Sequence, residues 1–299
     1  MQPNILLSIT GETRKDWRDK LKEINDLKVK EVALFLELYE KDQREEIYQA
    51  LLKSSIKSIP LVHIRHDMKK SELEFLKNRY KTKYFTCHEE NFARHDVEHW
   101  KGFYKDIYLE MNFDNLVSKS VDVEKIGGFC VDLAHFKCGM EKLSKDFEYV
   151  FERKDKKLFA CNHLNGYDPK KNIDMHTIYG LKNFGYLKTL PKFVFGATIA
   201  LETFNPIKEQ MEFKKYLEKS AIFWYYRLMT KKIRWVILLV SAVLFLVIMP
   251  YILLYSLGYR VDFENRKIVT TGGIYVRVLP QGANVIIDSK IENKTGLFS

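Results

Sequence analysis

A chain of 299 residues with 46% hydrophobic content carries enough apolar material for a sizeable core and is not a disordered polymer. Its net charge of +10 is inflated by the segment from residue 231 onward, which holds nine basic and four acidic residues; the part before it is too mildly basic to argue for nucleic acid on charge alone. The four cysteines, Cys87, Cys130, Cys138 and Cys161, form no CxxC pair and are too sparse for a disulfide scaffold, so reduced thiols are expected.

Eight short apolar, β-prone runs follow one another along the first two thirds of the chain: 4–10, 31–38, 59–64, 83–88, 106–113, 127–133, 157–163 and 197–203. Between them lie amphipathic stretches such as "KDWRDKLKEIND", "KDQREEIYQALLKSS" and "KKSELEFLKNRYK", whose leucines and aromatics recur at spacings of three and four. Strand alternating with helix implies a parallel sheet, and eight such units imply an α/β fold of the closed (β/α)8 TIM barrel type over residues 1–228. The competing open doubly wound sheet would want a Gly-rich phosphate turn after an early strand, and none is present. "YLKTLPKF" (186–193) is expected to cap the barrel, and "AIFWYYRLM" (221–229) to pack on it or meet a membrane surface.

Beyond the barrel, "WVILLVSAVLFLVIMPYILLYSLGY" runs from Trp235 to Tyr259 without a charge, long enough to cross a bilayer core of about 20 residues, with Trp235, Tyr255 and Tyr259 at interfacial positions. A transmembrane helix over 234–258 is expected, and Pro250 is a residue such helices tolerate. Arg227, Lys231, Lys232 and Arg234 on its N-terminal flank favour a single-pass protein with the barrel on the cytoplasmic side. Residues 259–299 read as short strands between Gly and Asn turns. The segment Pro280-Gln281-Gly282-Ala283, followed by Val285-Ile286-Ile287-Asp288, resembles the start of a PEGA domain, here partial. Met229-Thr230-Lys231-Lys232 has the form of an N-terminus, which leaves a genuine fusion or two adjoining reading frames as alternatives.

In a parallel barrel, chemistry sits at the C-terminal ends of the strands. These ends carry His63 on the third, His88 on the fourth, Glu110 on the fifth, Asp132 with His135 on the sixth, His163 with Asp174 and His176 in its loop on the seventh, and Glu202 on the eighth. One polar residue at a strand end is ordinary; nine in register bring imidazoles and carboxylates together as ligands for divalent ions, zinc first, with manganese or magnesium as alternatives. Carboxylates gathered in this way call for cations. Arg65 follows the third strand, where it would hold a phosphate or another part of the substrate, although His66 and Asp67 beside it also suit a solvated loop. His95 and His99 in "NFARHDVEHW" read as a surface pair without a third ligand.

With those residues in view, residues 4–220 resemble the xylose isomerase-like barrels, which include sugar and sugar-phosphate isomerases and epimerases and the endonuclease IV type of abasic-site nuclease. Glu110 in "LEMN", Asp132 in "VDLAH", His163 in "CNHLN" and Glu202 in "ALET" match the isomerase metal site, and Asp132-Leu-Ala-His135 matches the D-x-x-H of both branches. The nuclease is similar over a wider set: His63, His88, and His163-Leu164-Asn165 followed by Asp174-Met175-His176. Its DNA-gripping loops are short or absent here, and the Gly-x-Gly that often follows "DMHTIYG" is missing.

The resemblance implies two activities. In hydrolysis of a phosphoester at a multi-metal site, Glu110 and Glu202 bridge ions while Glu202 or Asp132 orients or deprotonates the nucleophile. In isomerisation or epimerisation, one ion is held by Glu110, Asp132, His163 and Glu202, the two glutamates shuttle a proton, and His135 binds the sugar. The expected partners are a small phosphorylated or sugar substrate, or abasic-site nucleic acid. A third class, a non-catalytic membrane-tethered binding module, would hold no metal.

Overall fold

The computed structural model describes residues 3–88, 98–111, 125–152, 159–220, 231–263, 265–270, 284–287 and 290–294. Packing divides the chain into two compact units, Met1–Leu228 and Met229–Ser299.

In the first unit every β-prone run becomes a strand: β1 (Asn4–Ile9), β2 (Val32–Phe35), β3 (Leu61–His63), β4 (Tyr84–His88), β5 (Ile107–Met111), β6 (Gly128–Asp132), β7 (Phe159–Leu164) and, after a small antiparallel hairpin β8 (Gly166–Asp168) and β9 (Ile173–Met175), β10 (Thr198–Leu201). The barrel closes in the order β1-β10-β7-β6-β5-β4-β3-β2, parallel throughout. A (β/α)8 barrel is therefore the fold of this unit. The hairpin is an element that reading residues 161–176 as strand end and loop did not anticipate.

The helices α1 (Asp16–Asp26), α2 (Lys41–Leu52), α3 (Lys70–Tyr80), α4 (Leu133–Lys142), α5 (Lys145–Glu152) and α6 (Ile207–Lys219) flank the strands. On α1, Trp17, Leu21 and Ile24 face the strands at the three-and-four spacing of an amphipathic helix. The α2 start is closed by a reciprocal cap, in which the Glu40 backbone N–H donates to Gln43 Oε1. Residues 186–193 span the end of the 3₁₀ segment Leu181–Thr189, the link Leu190-Pro191 and the start of the 3₁₀ segment Lys192–Val194, between β9 and β10.

Alternation divides the core in two. Leu6, Ala33, Phe35, Leu61, Tyr84, Cys130, Cys161 and Ala200 fill the barrel interior, while residues of the opposite parity, such as Ile5, Leu34, Val62, Phe85, Val131 and Ile199, pack beneath the helices. All four cysteines are buried free thiols. Asn162 ties β7 to β6 and to the segment before β10 from the outward side: its Nδ2 donates to Val131 O and Val194 O, and its Oδ1 accepts from Gly196 N. A Cβ on Gly196 would lie 2.4 Å from the Ala160 carbonyl, so only glycine lets this segment approach β7 so closely.

One buried cation outside the barrel gives a pH-dependent test. Lys20 on α1 is 4% exposed and donates to the Thr203 carbonyl at 2.6 Å. Burial lowers its pKa to about 7 despite Asp16 and Glu23 nearby. Between about pH 7 and the ordinary lysine value the unfolded chain binds the extra proton, so this residue makes stability rise with pH across that window. Lys20→Met is expected to be more stable than the parent at pH 7, with an advantage that shrinks toward pH 10. Thermal unfolding at both pH values checks it, and a pH-independent difference would contradict it.

The second unit holds α7 (Lys231–Ser256), two antiparallel hairpins, β11 (Tyr259–Asp262) with β12 (Lys267–Thr270), and β13 (Asn284–Ile287) with β14 (Lys290–Lys294). Within α7, Trp235–Ser256 is a 22-residue span of mean hydropathy 2.9, long and apolar enough to cross a membrane, with its apolar side chains outward. Its length, about 33 Å at 1.5 Å per residue, matches a hydrocarbon core of roughly 30 Å. The residues 280–283 of the PEGA-like segment lie outside the described residues, as do His95 and 221–229.

Candidate metal centre

Six strands converge on one rim, and each delivers its donor by the same register rule. The residue two positions before the donor points into the barrel: Leu61 before His63, Thr86 before His88, Tyr108 before Glu110, Cys130 before Asp132, Cys161 before His163 and Ala200 before Glu202. Parallel pairing then aligns the donors laterally, His88 opposite Glu110 and Asp132 opposite His163.

The result is two overlapping groups of donor atoms. His63, His88 and Glu110 form one and Glu110, Asp132, His163 and Glu202 the other, with all donor atoms of a group within 4.8 Å of one another. Glu110 belongs to both. Its Oε2 lies 3.1 Å from His63 Nδ1 and 3.1 Å from His163 Nδ1, which in turn is 3.3 Å from Glu202 Oε2.

These close pairs lack the alignment of hydrogen bonds. Among the described residues, Glu110 Oε2, His163 Nδ1 and Glu202 Oε2 are buried without a hydrogen-bond partner, and so is His63 Nε2. Orphaned polar atoms in a packed interior cost free energy. Ligand atoms about 2.0–2.2 Å from one divalent ion stand roughly 3.0–3.5 Å apart, so the same spacing is what a shared cation produces. The donor chemistry, imidazole with carboxylate, fits zinc and related ions.

A third group lies beside these two. Asp174, on β9, places Oδ2 3.3 Å from both His135 Nε2 and His176 Nε2. The hairpin does this by turning the chain back after β7, with Tyr167 paired to Asp174. Asp132 caps α4 by accepting from the His135 backbone N–H at 2.8 Å, which sets His135 on the first turn facing Asp174.

Supporting contacts fix the rings. Thr86 Oγ1 sits 3.1 Å from both His63 Nδ1 and His163 Nε2, and Phe35 packs under the same two rings, 5.8 and 4.9 Å away between centroids. Asn165 Nδ2 donates to Asp132 Oδ2 at 3.1 Å, and Tyr186 holds the Asn165 carbonyl. His176 stacks on Phe204 at 5.1 Å.

The electrostatics express an unmet demand for positive charge. Burial works against protonation of His163, but Glu110 and Glu202 raise its pKa well above the usual histidine value. His135 is likewise opposed by burial and raised to about 10 by Asp132 and Asp174, and His176 to about 9 by Asp174, Glu202 and Asp132. Burial pushes Asp132 up to about 6, with Glu202 and Glu110 adding to the rise and His135 opposing it. Asp174 moves the other way, its burial outweighed by the two histidines.

Arg65 is engaged elsewhere: its guanidinium lies 3.0 Å from Glu40 and 3.2 Å from Asp67. Asp67 also pairs with Arg44, so Arg65 belongs to an ion-pair network on the α2–α3 side of the rim. His99 stands in a 3₁₀ turn against Trp100, on the surface.

Sequence reasoning overlooked Glu37. It stands two residues past Phe35 in the inward parity, its Oε2 is buried, and burial raises its pKa while His63 and His88 pull it down and Glu202 pushes it up. Parity was the available signal, but β2 ends at Phe35 and Glu37 lies in the turn beyond it.

No family model matches the chain, and no curated protein matches it. Among solved structures it is similar to a sugar phosphate isomerase/epimerase from Parabacteroides distasonis ATCC 8503, at 8% identity over 74% of this chain and 97% of that one, with a TM-score of 0.41. A likeness of that degree carries no functional argument, and the reading of the site rests on its own side chains.

Proposed function

We propose that the barrel is a divalent-metal-dependent phosphoester hydrolase of the endonuclease IV-like kind, with a multi-metal site. The observation that carries this is the partition of the donors into three groups, each containing imidazole and carboxylate, two of them sharing Glu110. One divalent ion would leave the carboxylates Glu110, Asp132, Asp174 and Glu202 in excess and repel a phosphate, whereas three outweigh them and attract it. Zinc is the expected ion, with manganese or magnesium as alternatives.

Bound divalent ions supply Lewis acidity toward a phosphoryl group and make a water acidic at neutral pH. The chain's own residues do the positioning. Glu110, Asp132, His163 and Glu202 would hold one ion and His63, His88 and Glu110 another; Thr86 fixes the two central imidazoles, and Asp132, anchored by the His135 N–H and Asn165, would orient or deprotonate the attacking water. His135, Asp174 and His176 form the outlying binding group. Residues 235–259 anchor the chain in a membrane, with the basic flank before Trp235 favouring a cytoplasmic barrel.

A second reading has its own support. Arg65 is ion-paired with Glu40 and Asp67, which offsets part of the charge it could offer a phosphate. That favours a single-ion sugar isomerase or epimerase, in which Glu110 and Glu202 move the proton and His135 binds the sugar. Elemental analysis of the purified full chain separates the two: about three zinc ions per chain support the hydrolase, one manganese or magnesium the isomerase. No bound metal after reconstitution would sink both. His88→Ala is expected to abolish phosphoester hydrolysis, measured with a duplex carrying an abasic site, because β4 supplies a ligand that the isomerase site does not need. An active variant would contradict the multi-metal reading.

A further inference from the structure

The chain between β7 and β10 is basic. From Pro169 to Leu201 it holds five lysines and a single acid, Asp174, whose carboxylate is turned to His135 and His176. Lys170 and Lys171 lie in the turn of the β8–β9 hairpin, which the Lys170 backbone N–H closes by donating to Asp168 Oδ1 at 2.8 Å. These two side chains and that of Lys182 are exposed, and among the described residues no ion pair engages them.

Apolar side chains stand beside the lysines. Alternation along β9 puts Ile173 and Met175 on one face and Asp174 on the other. A Cβ on Gly166, the cross-strand partner of Met175, would lie 2.6 Å from Ile178 and 3.3 Å from Asn183, so the chain after β9 folds onto the Ile173 side of the hairpin. Between those two contacts Tyr179 and Leu181 are left in solvent, 80% and 41% exposed, as is Ile173 at 43%. Exposed aromatic and aliphatic tips set among ammonium groups are the composition of a surface that lies in the headgroup layer of a bilayer.

The rest of the chain selects the occupant. Only residues 221–234 separate Ser220 from the apolar span at Trp235, a reach of about 50 Å when fully extended, so a bilayer that takes the span stays within range of the barrel. The basic flank of the span favours a cytoplasmic barrel, and the cytoplasmic leaflet carries the anionic lipid that complements the lysines.

We propose that the face formed by Ile173, Tyr179 and Leu181, with Lys170, Lys171 and Lys182, docks on an anionic phospholipid bilayer. The inference rests on reading Trp235–Ser256 as a membrane anchor and goes beyond it. Asp174 leaves β9 on the opposite side, so the docked face makes no use of the donor group.

The test places the full chain in vesicles of phosphatidylcholine, with or without phosphatidylserine, both carrying a doxyl-labelled lipid as quencher. A bimane probe is attached through Pro169→Cys at the hairpin turn, the four native cysteines being buried. Quenching is expected to be several-fold stronger with phosphatidylserine. The double variants Lys170→Glu with Lys171→Glu and Tyr179→Ser with Leu181→Ser are each expected to remove most of that difference at an unchanged thermal midpoint. Equal quenching in the two vesicles, or a difference that neither double variant moves, would overturn the proposal. So would a probe that no vesicle quenches; a DNA duplex that then shields Lys170 and Lys171 from acetylation would assign the face to nucleic acid. Alkaline carbonate extraction tests the anchor separately: release of the chain, beside phosphatidylserine-dependent quenching at neutral pH, would remove the anchor reading and keep the docking face.

Discussion

Glu110→Gln is expected to lower the metal content of the chain by two ions and turnover by on the order of a thousandfold, the scale on which one central electrostatic stabiliser acts. The reason is its double membership: the same carboxylate lies 3.1 Å from His63 on one side and 3.1 Å from His163 on the other. Glutamine preserves shape and burial, so the fold has no steric reason to respond. It removes the charge that both groups share, and a neutral amide oxygen is a poor substitute for a carboxylate at a divalent ion. Elemental analysis and abasic-site cleavage on the same preparation read the two effects. Full metal content with lost activity would confine Glu110 to proton transfer, which is the isomerase assignment; full content with full activity would remove it from the site.

The largest effect on stability is expected at Arg44, which is outside the candidate donor groups. Its guanidinium is 1% exposed, donates from Nε and Nη2 to the two oxygens of Glu72 at 2.8 and 3.0 Å, and reaches the Tyr39 carbonyl and Asp67 through Nη1. Tyr48 donates to the same Glu72 at 2.8 Å. Arg44→Ala leaves Glu72 and a carbonyl without their main donor and opens a cavity, so a loss of about 3–5 kcal/mol is expected. For a domain of this size that is about 10 °C in thermal midpoint. Replacing both partners, Arg44→Met with Glu72→Leu, is expected to recover much of the loss, because no unpaired charge remains. Thermal unfolding of the three proteins checks this; a single variant within about 2 °C of the parent would show the network to be unimportant. The network bears on the site because it also holds Asp67, and through it Arg65, at the rim beside β3.

The two cases illustrate how differently the pieces were readable. Strand and helix periods are local properties, so the eight runs and the amphipathic segments between them appear in the sequence at nearly their structural boundaries, and closure follows from their number. Donors at strand ends are likewise visible once the strands are placed, because alternation ties His63 to Leu61 and Glu202 to Ala200. Arg65 was equally visible, but its partner is not local: Glu40 lies 25 positions earlier, and only the packing of the loop after β2 against the end of β3 brings them together.

By itself, then, the sequence determined the barrel, the apolar span from Trp235, and which nine imidazoles and carboxylates stand as candidate donors. Tertiary structure alone decided how those donors group: that Glu110 is shared, that β8 and β9 fold back to set Asp174 between His135 and His176, and that Thr86 stands between two imidazoles. Distances between strand ends depend on the tilt and stagger of a closed sheet, which no single segment encodes.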